Sequence, residues 1–569
     1  MRILLLTHAF NSLTQRLEAE LRQCGHELSI EFDIADSVAE EAVALFRPDL
    51  VVAPYLKRAI PESIWSRHVC LIVHPGIVGD RGPSALDWAI HEGAAEWGVT
   101  VLQAEAEMDA GPVWANQNFR MRDAKKSSLY RNEVTQAAST AVLQAVQRFA
   151  SGNFVPRAQS TFLVRSGRRP SMSQADRRLD WQRDDSASVL RKMHAADGFP
   201  GLADTLFGEP CHLFDAWPEA SLRGTPGAVI ARRETALLRA TADGAVWIGH
   251  VKRKGSIKLP ATLAFEREAA KLPDAALKSW WRSDTATWQD ITYEEHGPVG
   301  LLDFEFYNGA MSTQQCGRLR AAVQWAKQRP TKILLLTGGS DFWSNGIHLN
   351  VIEAASLGQG SAADESWRNI NAMNDLALEL INTGQHITVA ALGGNCGAGG
   401  CFLARACDLV WAREAVLLNP HYKNMGNLYG SEYWTYLLPR RVGIEAAQAI
   451  MRDRQPMTAR RALEIGLTDA CVAGDSAAFR GEALQGAAAL AAAPDLEERL
   501  AAKRETRQRD EAAKPLAAYR EEELTQMRRN FYGFDPSYHI ARHHFVRKSP
   551  ASWTPRHLAR HRDLGWRIP

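Results

Sequence analysis

Three stretches of this chain hold residue types that suit work on a carbonyl group. The first centres on His74, which ends the apolar run Cys70–Val73. His8 and Pro54 also stand at the ends of apolar runs, and sites on open α/β sheets gather at the carboxyl ends of strands. An imidazole there can stabilise an oxyanion or move its proton. A carboxylate such as Asp109 can fix its tautomer. His8 has no comparable motif around it and reads as structural. The second stretch is a pair of glycine-rich segments, TGGSDFWSNGIHL at 337–349 and ALGGNCGAGGCFLARACDLV at 391–410. Glycine permits close backbone approach, so two N–H groups can converge on one oxygen. The third is polar and aromatic: Asn419–Pro420–His421–Tyr422, then Tyr429–Gly430–Ser431–Glu432–Tyr433–Trp434.

The elements around these residues divide the chain. In the first third, RILLLTH, ELSIEF, DLVVAPY and CLIVHPG read as strands. They alternate with helices at LTQRLEAELRQCG, ending at Gly25, and SVAEEAVALFRPD. Such alternation predicts a doubly wound parallel sheet. SGRRPSMSQADRRLDW is polar and breaker-rich and reads as a linker. A helix near Ser186–Ala196 and short strands with glycine turns follow, suggesting a small β-barrel-like domain. The Trp-rich stretch SWWRSDTATW marks the next boundary. From about 290 the α/β pattern returns, with strands at GPVGLLDFEF, KILLLTGG and ITVAALGG. After 475 the chain is Ala-, Glu- and Arg-rich and reads as helical to Pro515; its last forty or so residues show no clear periodicity. The units are therefore 1–165, 166–280, 288–475 and a helical and irregular extension at 476–569, an α/β multidomain protein.

The 569 residues suit roughly three or four domains of ordinary size. Hydrophobic content of 46% and charged content of 23% are those of a soluble globular chain. A formal charge of +2 makes no demand for nucleic acid or an anionic membrane, so any phosphate binding must be local. The eight cysteines form no CxxC pair, which argues against a zinc ribbon or a disulfide framework. The opening run MRILLLTHAFNS is apolar only briefly and lacks a small-residue cleavage site, so it reads as a strand rather than a signal peptide. No stretch reaches the roughly 18 apolar residues of a membrane span. The expectation is a cytoplasmic enzyme without a metal.

The order Ile72–Val73–His74–Pro75–Gly76, Arg81–Gly82–Pro83, Gly98–Val99–Thr100 and Met108–Asp109–Ala110–Gly111 resembles the 10-formyltetrahydrofolate-dependent transformylases. The resemblance covers residues 1–165 well and 166–280 weakly, where that family carries a small β-barrel. It implies that His74 and Asp109 serve formyl transfer through a tetrahedral oxyanion. It places the pterin against Pro54, Tyr55 and the backbone to Pro61, with the Arg81–Gly82 loop beside it. The family has Asn two residues before the His; here Ile72 removes that polar contact, so an acceptor other than the usual amine is expected.

The two glycine-rich segments resemble the oxyanion-hole loops of the crotonase (enoyl-CoA hydratase/isomerase) family. By that pattern the donors are the N–H groups of Ile347 and Gly399, the latter at a helix start where negative charge is favoured. Phe402 stands where one hydratase Glu is expected and His421 near the other, which disfavours hydration of an enoyl thioester. The wall that follows is similar to the HoxX/HypX hydrogenase-maturation family, in which a Tyr and a Glu take over, here Tyr422 and Glu432. Aromatic neighbours can bury Glu432; alternatively it is a surface residue paired with Arg440 or Arg441.

The resemblance to HoxX/HypX spans essentially the whole chain and implies carbon monoxide synthesis for nickel–iron hydrogenase assembly. Coenzyme A takes the formyl group of 10-formyltetrahydrofolate at His74 and Asp109. Formyl-CoA then decomposes to carbon monoxide and CoA at the second site. CoA phosphates need placed cations, and Arg16, Arg131 and Arg542 are the candidates. Hydrogenase maturation proteins are the expected recipients of the product. Two other readings fit the sequence: a formyltransferase with another acceptor joined to an unrelated acyl-CoA activity, and a non-catalytic CoA-binding scaffold.

Overall fold

Short apolar runs bounded by polar turns become buried strands throughout. The computed structural model describes residues 1–163, 166–277 and 279–563. Its first sheet has the strand order Glu27–Phe32, Arg2–Thr7, Leu50–Tyr55, Cys70–His74, Glu96–Gln103, Val113–Arg120. The first four strands run parallel, as their alternation with helices predicts. The last two pair antiparallel, Cys70–His74 to Glu96–Gln103 and that strand to Val113–Arg120, because no crossover helix long enough to return the chain separates them. The helices Ser12–Gln23 and Thr135–Ser151 cover one face, and Asp36–Phe46 packs the other.

The second sheet is antiparallel, in the order Leu202–Leu206, Glu209–Glu219, Ala245–Arg253, Ala236–Ala240, Val229–Arg233, with Lys258–Pro260 on the Ala245–Arg253 strand. The Ser186–Ala196 helix, capped by Asp185 through the Ser188 N–H, packs on it.

The third sheet runs Ile291–His296, Val299–Phe304, Ile333–Gly338, Ile387–Leu392, Leu409–Arg413, Ala470–Val472. Beside it lies a small sheet of Phe342–Ser344, Asn395–Gly397, Leu417–Asn419 and Met457–Thr458. This second layer carries the two glycine-rich segments on adjacent parallel strands.

The C-terminal region departs from expectation. The helix Leu496–Ala513 ends just before Pro515 as expected, but Pro515 also caps the start of another: Leu516–Tyr532 follows it, and then Ser537–Arg547. Met527, Phe531 and Tyr538 are fully buried in the core of the third sheet's domain. Their apolar positions are diluted by charged neighbours, which hides the periodicity in the sequence. The end of the chain returns to the first domain, where Thr554, His561 and Arg562 converge on the buried Glu31. All eight cysteines are unpaired thiols. Among the described residues no helix is long and apolar enough to cross a membrane.

Candidate active sites

His74 ends its strand fully enclosed. Its Nε2 lies 3.0 Å from Asp80 Oδ2, and Ser166 Oγ donates to the other Asp80 oxygen at 2.8 Å. Its Nδ1 faces Asp109 Oδ2 at 3.7 Å, beyond hydrogen-bond length. The imidazole thus stands between two carboxylates. The motif residues hold it there. Thr100 Oγ1 donates to the Gly76 carbonyl at 2.8 Å and Trp97 Nε1 to that of Pro75 at 2.9 Å. A Cβ on Gly76 would fall 2.3 Å from His74 Nε2, so only glycine lets the loop wrap the ring. Asp109 has a left-handed φ of 55° and accepts the Gly82 N–H at 3.2 Å. Asp80 escaped the sequence reading, although it directly precedes Arg81–Gly82–Pro83. Nothing in its neighbours marks it as buried.

Ile72 packs with the apolar side of the sheet and offers no polar atom. Pro54 and Tyr55 end their strand beside His8, whose ring meets that of Tyr55 edge-on at 5.9 Å. His8, read as structural, has an acidic partner: its Nδ1 lies 2.7 Å from Asp33 Oδ1, and Asp33 Oδ2 accepts the Lys57 N–H at 3.0 Å. Arg81 reaches Glu107 at 2.9 Å.

At the second site the two glycine-rich loops meet. A Cβ on Gly346 would stand 3.3 Å from the Gly399 nitrogen, so the residue just before Ile347 lies against Gly399. Ala398, just before Gly399, adopts φ 47° and ψ −128°, a conformation that side chains rarely take and that functional turns retain. Glu432 lies directly against this turn. A Cβ on Gly399 would come within 2.6 Å of Glu432 Oε1, so the absent side chain makes room for the carboxylate.

Glu432 is 1% exposed, which excludes the surface reading; Arg440 and Arg441 pair instead with Asp510 and Asp469. Tyr422 Oη donates to Glu432 Oε2 at 2.5 Å, and Phe402 stacks on the Tyr422 ring at 5.5 Å. Glu432 Oε1 is buried without a hydrogen-bond partner among the described residues. Burial pushes the Glu432 carboxyl up to about 8, and it raises the Tyr422 phenol as well. His421 is buried too, and neither ring nitrogen finds a partner among the described residues; burial holds its pKa down at about 4.

Each of the three arginines expected to hold CoA has a carboxylate partner. Arg16 pairs with Glu20 at 2.7 Å on its own helix. Arg542 is buried against Glu353 at 2.9 Å. Arg131 lies at the seam of the first and third domains, touching Asp341 at 3.2 Å and Asn308 at 3.0 Å and covering the Phe342 ring. Lys258 and Lys548 lie in the same electrostatic neighbourhood. Burial lowers both ammonium pKa values, Lys258 to about 8, and Arg131 adds to the effect on each. Cations from all three parts of the chain thus act on one another here, with Lys548 joining Arg131 from the C-terminal region.

Comparison with known proteins matches each part. Residues 25–146 match the formyl transferase family, 171–268 the formyl transferase C-terminal domain, and 308–556 enoyl-CoA hydratase/isomerase. Methionyl-tRNA formyltransferase of Roseiflexus castenholzii is 31% identical over 239 residues, 40% of this chain and 73% of that protein. HypX from Aquifex aeolicus, solved with tetrahydrofolic acid, superposes with TM-score 0.96 at 47% identity over 100% of both chains. The hydrogenase maturation factor HoxX of Bradyrhizobium diazoefficiens is 54% identical over 99% of this chain and 97% of its own length. With that whole-length match the chain belongs to the HoxX/HypX family of hydrogenase maturation factors, a formyltransferase module joined to a crotonase-like one.

Proposed function

We propose that this protein makes carbon monoxide in two steps. First, the thiol of CoA attacks the formyl carbon of 10-formyltetrahydrofolate. A C–S bond forms, the C–N10 bond breaks, and the thiol proton passes to N10. His74, held between Asp80 and Asp109, is placed to steady the tetrahedral oxyanion and to carry that proton. The tetrahydrofolate bound by the Aquifex relative supports a folate donor here. Pro54, Tyr55, Arg81 and Gly82 are proposed to line its site, and Arg131 with Lys258 and Lys548 to meet the phosphates of CoA.

Second, formyl-CoA loses carbon monoxide. The formyl oxygen rests on the Ile347 and Gly399 N–H groups. Glu432 Oε1 removes the formyl proton, the C–S bond breaks, and Tyr422 protonates the departing thiolate; the proton on Glu432 then restores Tyr422 across their 2.5 Å contact. One proton moves from carbon to sulfur and nothing is oxidised or reduced. The carrying observation is the unpartnered, buried Glu432 Oε1 against Gly399. A hydratase glutamate would activate water, but here Phe402 fills one expected position and stacks over Tyr422.

The test is incubation of the pure protein with 10-formyltetrahydrofolate and CoA, following tetrahydrofolate chemically and carbon monoxide through the haemoglobin spectrum. Both products are expected. Tetrahydrofolate without carbon monoxide refutes the second step, and neither product leaves a binding scaffold.

A further inference from the structure

Glu432 and the residue after it, Tyr433, both have left-handed backbones, with φ of 59° and 60°. Residues other than glycine rarely take this conformation, so each must be held by its surroundings. Side chains from two other helices hold this pair. Asn374 Oδ1, on the Ala362–Ile381 helix, accepts the Glu432 N–H at 2.8 Å. The rest comes from the C-terminal extension. Glu523 Oε2 accepts the Tyr433 N–H at 3.0 Å; its Oε1 accepts the Thr435 N–H at 2.9 Å and the Thr435 hydroxyl at 2.6 Å. Ser431 Oγ lies 3.4 Å from Glu523 and 2.8 Å from Asn374, so its single proton goes to Asn374. Two further residues on the same face of that helix bind the segment upstream. Met527 Sδ receives the Gly430 N–H at 3.2 Å and Asn530 Oδ1 the Tyr429 N–H at 3.0 Å. Positions 523, 527 and 530 share one helical face, and that face follows the backbone from 429 to 435.

Glu523 is completely buried. Both of its oxygens accept hydrogen bonds, which a neutral amide with a single acceptor oxygen could not match, and the carboxylate lies close to a second one. We infer that Glu523 is a positioning residue for the second site, fixing the Glu432–Tyr433 turn and pressing negative charge towards the Glu432 carboxylate. The inference rests on the reading of Glu432 as the proton acceptor. The titratable groups facing Glu432 are Tyr422 from the loop after Leu417–Asn419, Cys316 from the Thr313–Ala326 helix, and Glu523. Arg520, one turn before Glu523, faces Tyr433 instead. Burial is the largest cause of the raised Glu432 carboxyl, and Glu523 adds to it; Glu523 itself is pushed up to about 7, again chiefly by burial. The C-terminal helices thus complete the decarbonylation site.

The test measures carbon monoxide release from formyl-CoA against pH for the parent, Glu432→Gln, Glu523→Gln and Glu523→Asp. Formyl transfer serves as the folding control. Glu523→Gln removes charge and one acceptor. Its limiting rate is expected to fall by roughly tenfold to 100-fold, as for a misplaced reacting group, and its acidic limb to move to lower pH. Glu523→Asp keeps the charge but withdraws the oxygens, so the rate should fall with the limb near the parental pH. If Glu432→Gln is inactive and both Glu523 variants keep parental rate and limb, the inference fails. Equal rate losses with an unmoved limb in Glu523→Gln overturn it too, because they mark a merely structural residue. Should Glu523→Gln lose formyl transfer through misfolding, Glu523→Asp decides: slowed carbon monoxide release supports the inference and parental release overturns it. Parental release by Glu432→Gln instead removes the underlying reading of Glu432.

Discussion

Glu432 is expected to govern the pH dependence of carbon monoxide release. Its acceptor form is the ionised one, so release should climb as pH rises through about 8 and flatten above. The same burial has a stability consequence. A carboxyl pushed up from 4.5 to about 8 binds its proton more tightly in the folded state than in the unfolded one. Glu432 therefore costs folding stability progressively as pH rises through that window. Glu432→Gln carries no charge to bury, so its melting temperature should gain on the parent between the acidic and alkaline ends of the window; thermal melts across it check this, and a constant gap refutes it. At the first site, His74→Ala should slow tetrahydrofolate release by roughly 100-fold or more. Asp80→Asn and Asp109→Asn should each slow it as well, since the ring is held from both sides. Near-parental release by the aspartate variants would show that packing alone orients His74.

Among the elements, the Leu516–Tyr532 helix and the two glycine-rich loops do most to shape the second site. The loops owe their meeting to parallel pairing of Phe342–Ser344 with Asn395–Gly397, one strand leading each segment to the same edge. The seam between domains is similarly built from element ends. Arg131 and Asn132 lie at a π-helical turn before the Thr135–Ser151 helix, and both bind Asp341. Lys548 follows the final Ser537–Arg547 helix. Arg131→Ala and Lys548→Ala should each weaken CoA binding in calorimetry, more at low salt than at high salt, as for phosphate contacts. Arg542→Ala should affect melting more than affinity, because Arg542 neutralises the buried Glu353. Equal loss of affinity in all three would return Arg542 to the binding group.

For the whole molecule, the two sites should separate by mutation. Glu432→Gln and Tyr422→Phe are expected to release tetrahydrofolate from the two substrates but to make little carbon monoxide; coupled loss of both products would mean that one site does both steps. The chain's end also ties the molecule together. Glu31 is fully buried on the edge strand of the first sheet and takes hydrogen bonds from Thr554, from His561 at 3.0 Å and from Arg562 at 2.7 Å. Burial alone would raise its carboxyl, but these bonds hold it below the usual range. A buried carboxylate stripped of its cation costs about 3–5 kcal/mol. Arg562→Ala combined with Thr554→Val should therefore lower the melting temperature clearly at neutral pH, and less in acid where Glu31 protonates.

Much of this architecture was legible from local pattern. Apolar runs and amphipathic helices predicted the α/β character, and the ordered loops around His74, Asp109, Ile347 and Gly399 marked the two candidate sites, because turn glycines and strand ends leave local signatures. The antiparallel return of Glu96–Gln103 was less visible, since strand direction depends on which edge the chain rejoins. Asp80, Glu523 and Lys548 were invisible in sequence: a charged residue's burial is decided by whatever folds over it. Arg542 shows the same limit: it lies in one basic stretch with Lys548, and nothing local reveals that packing pairs it with the buried Glu353. The residue types and local turns were determined by the sequence alone. Which carboxylates face each other, and which cations meet across the seam, were decided by tertiary packing, because desolvation and charge act between segments far apart in the chain.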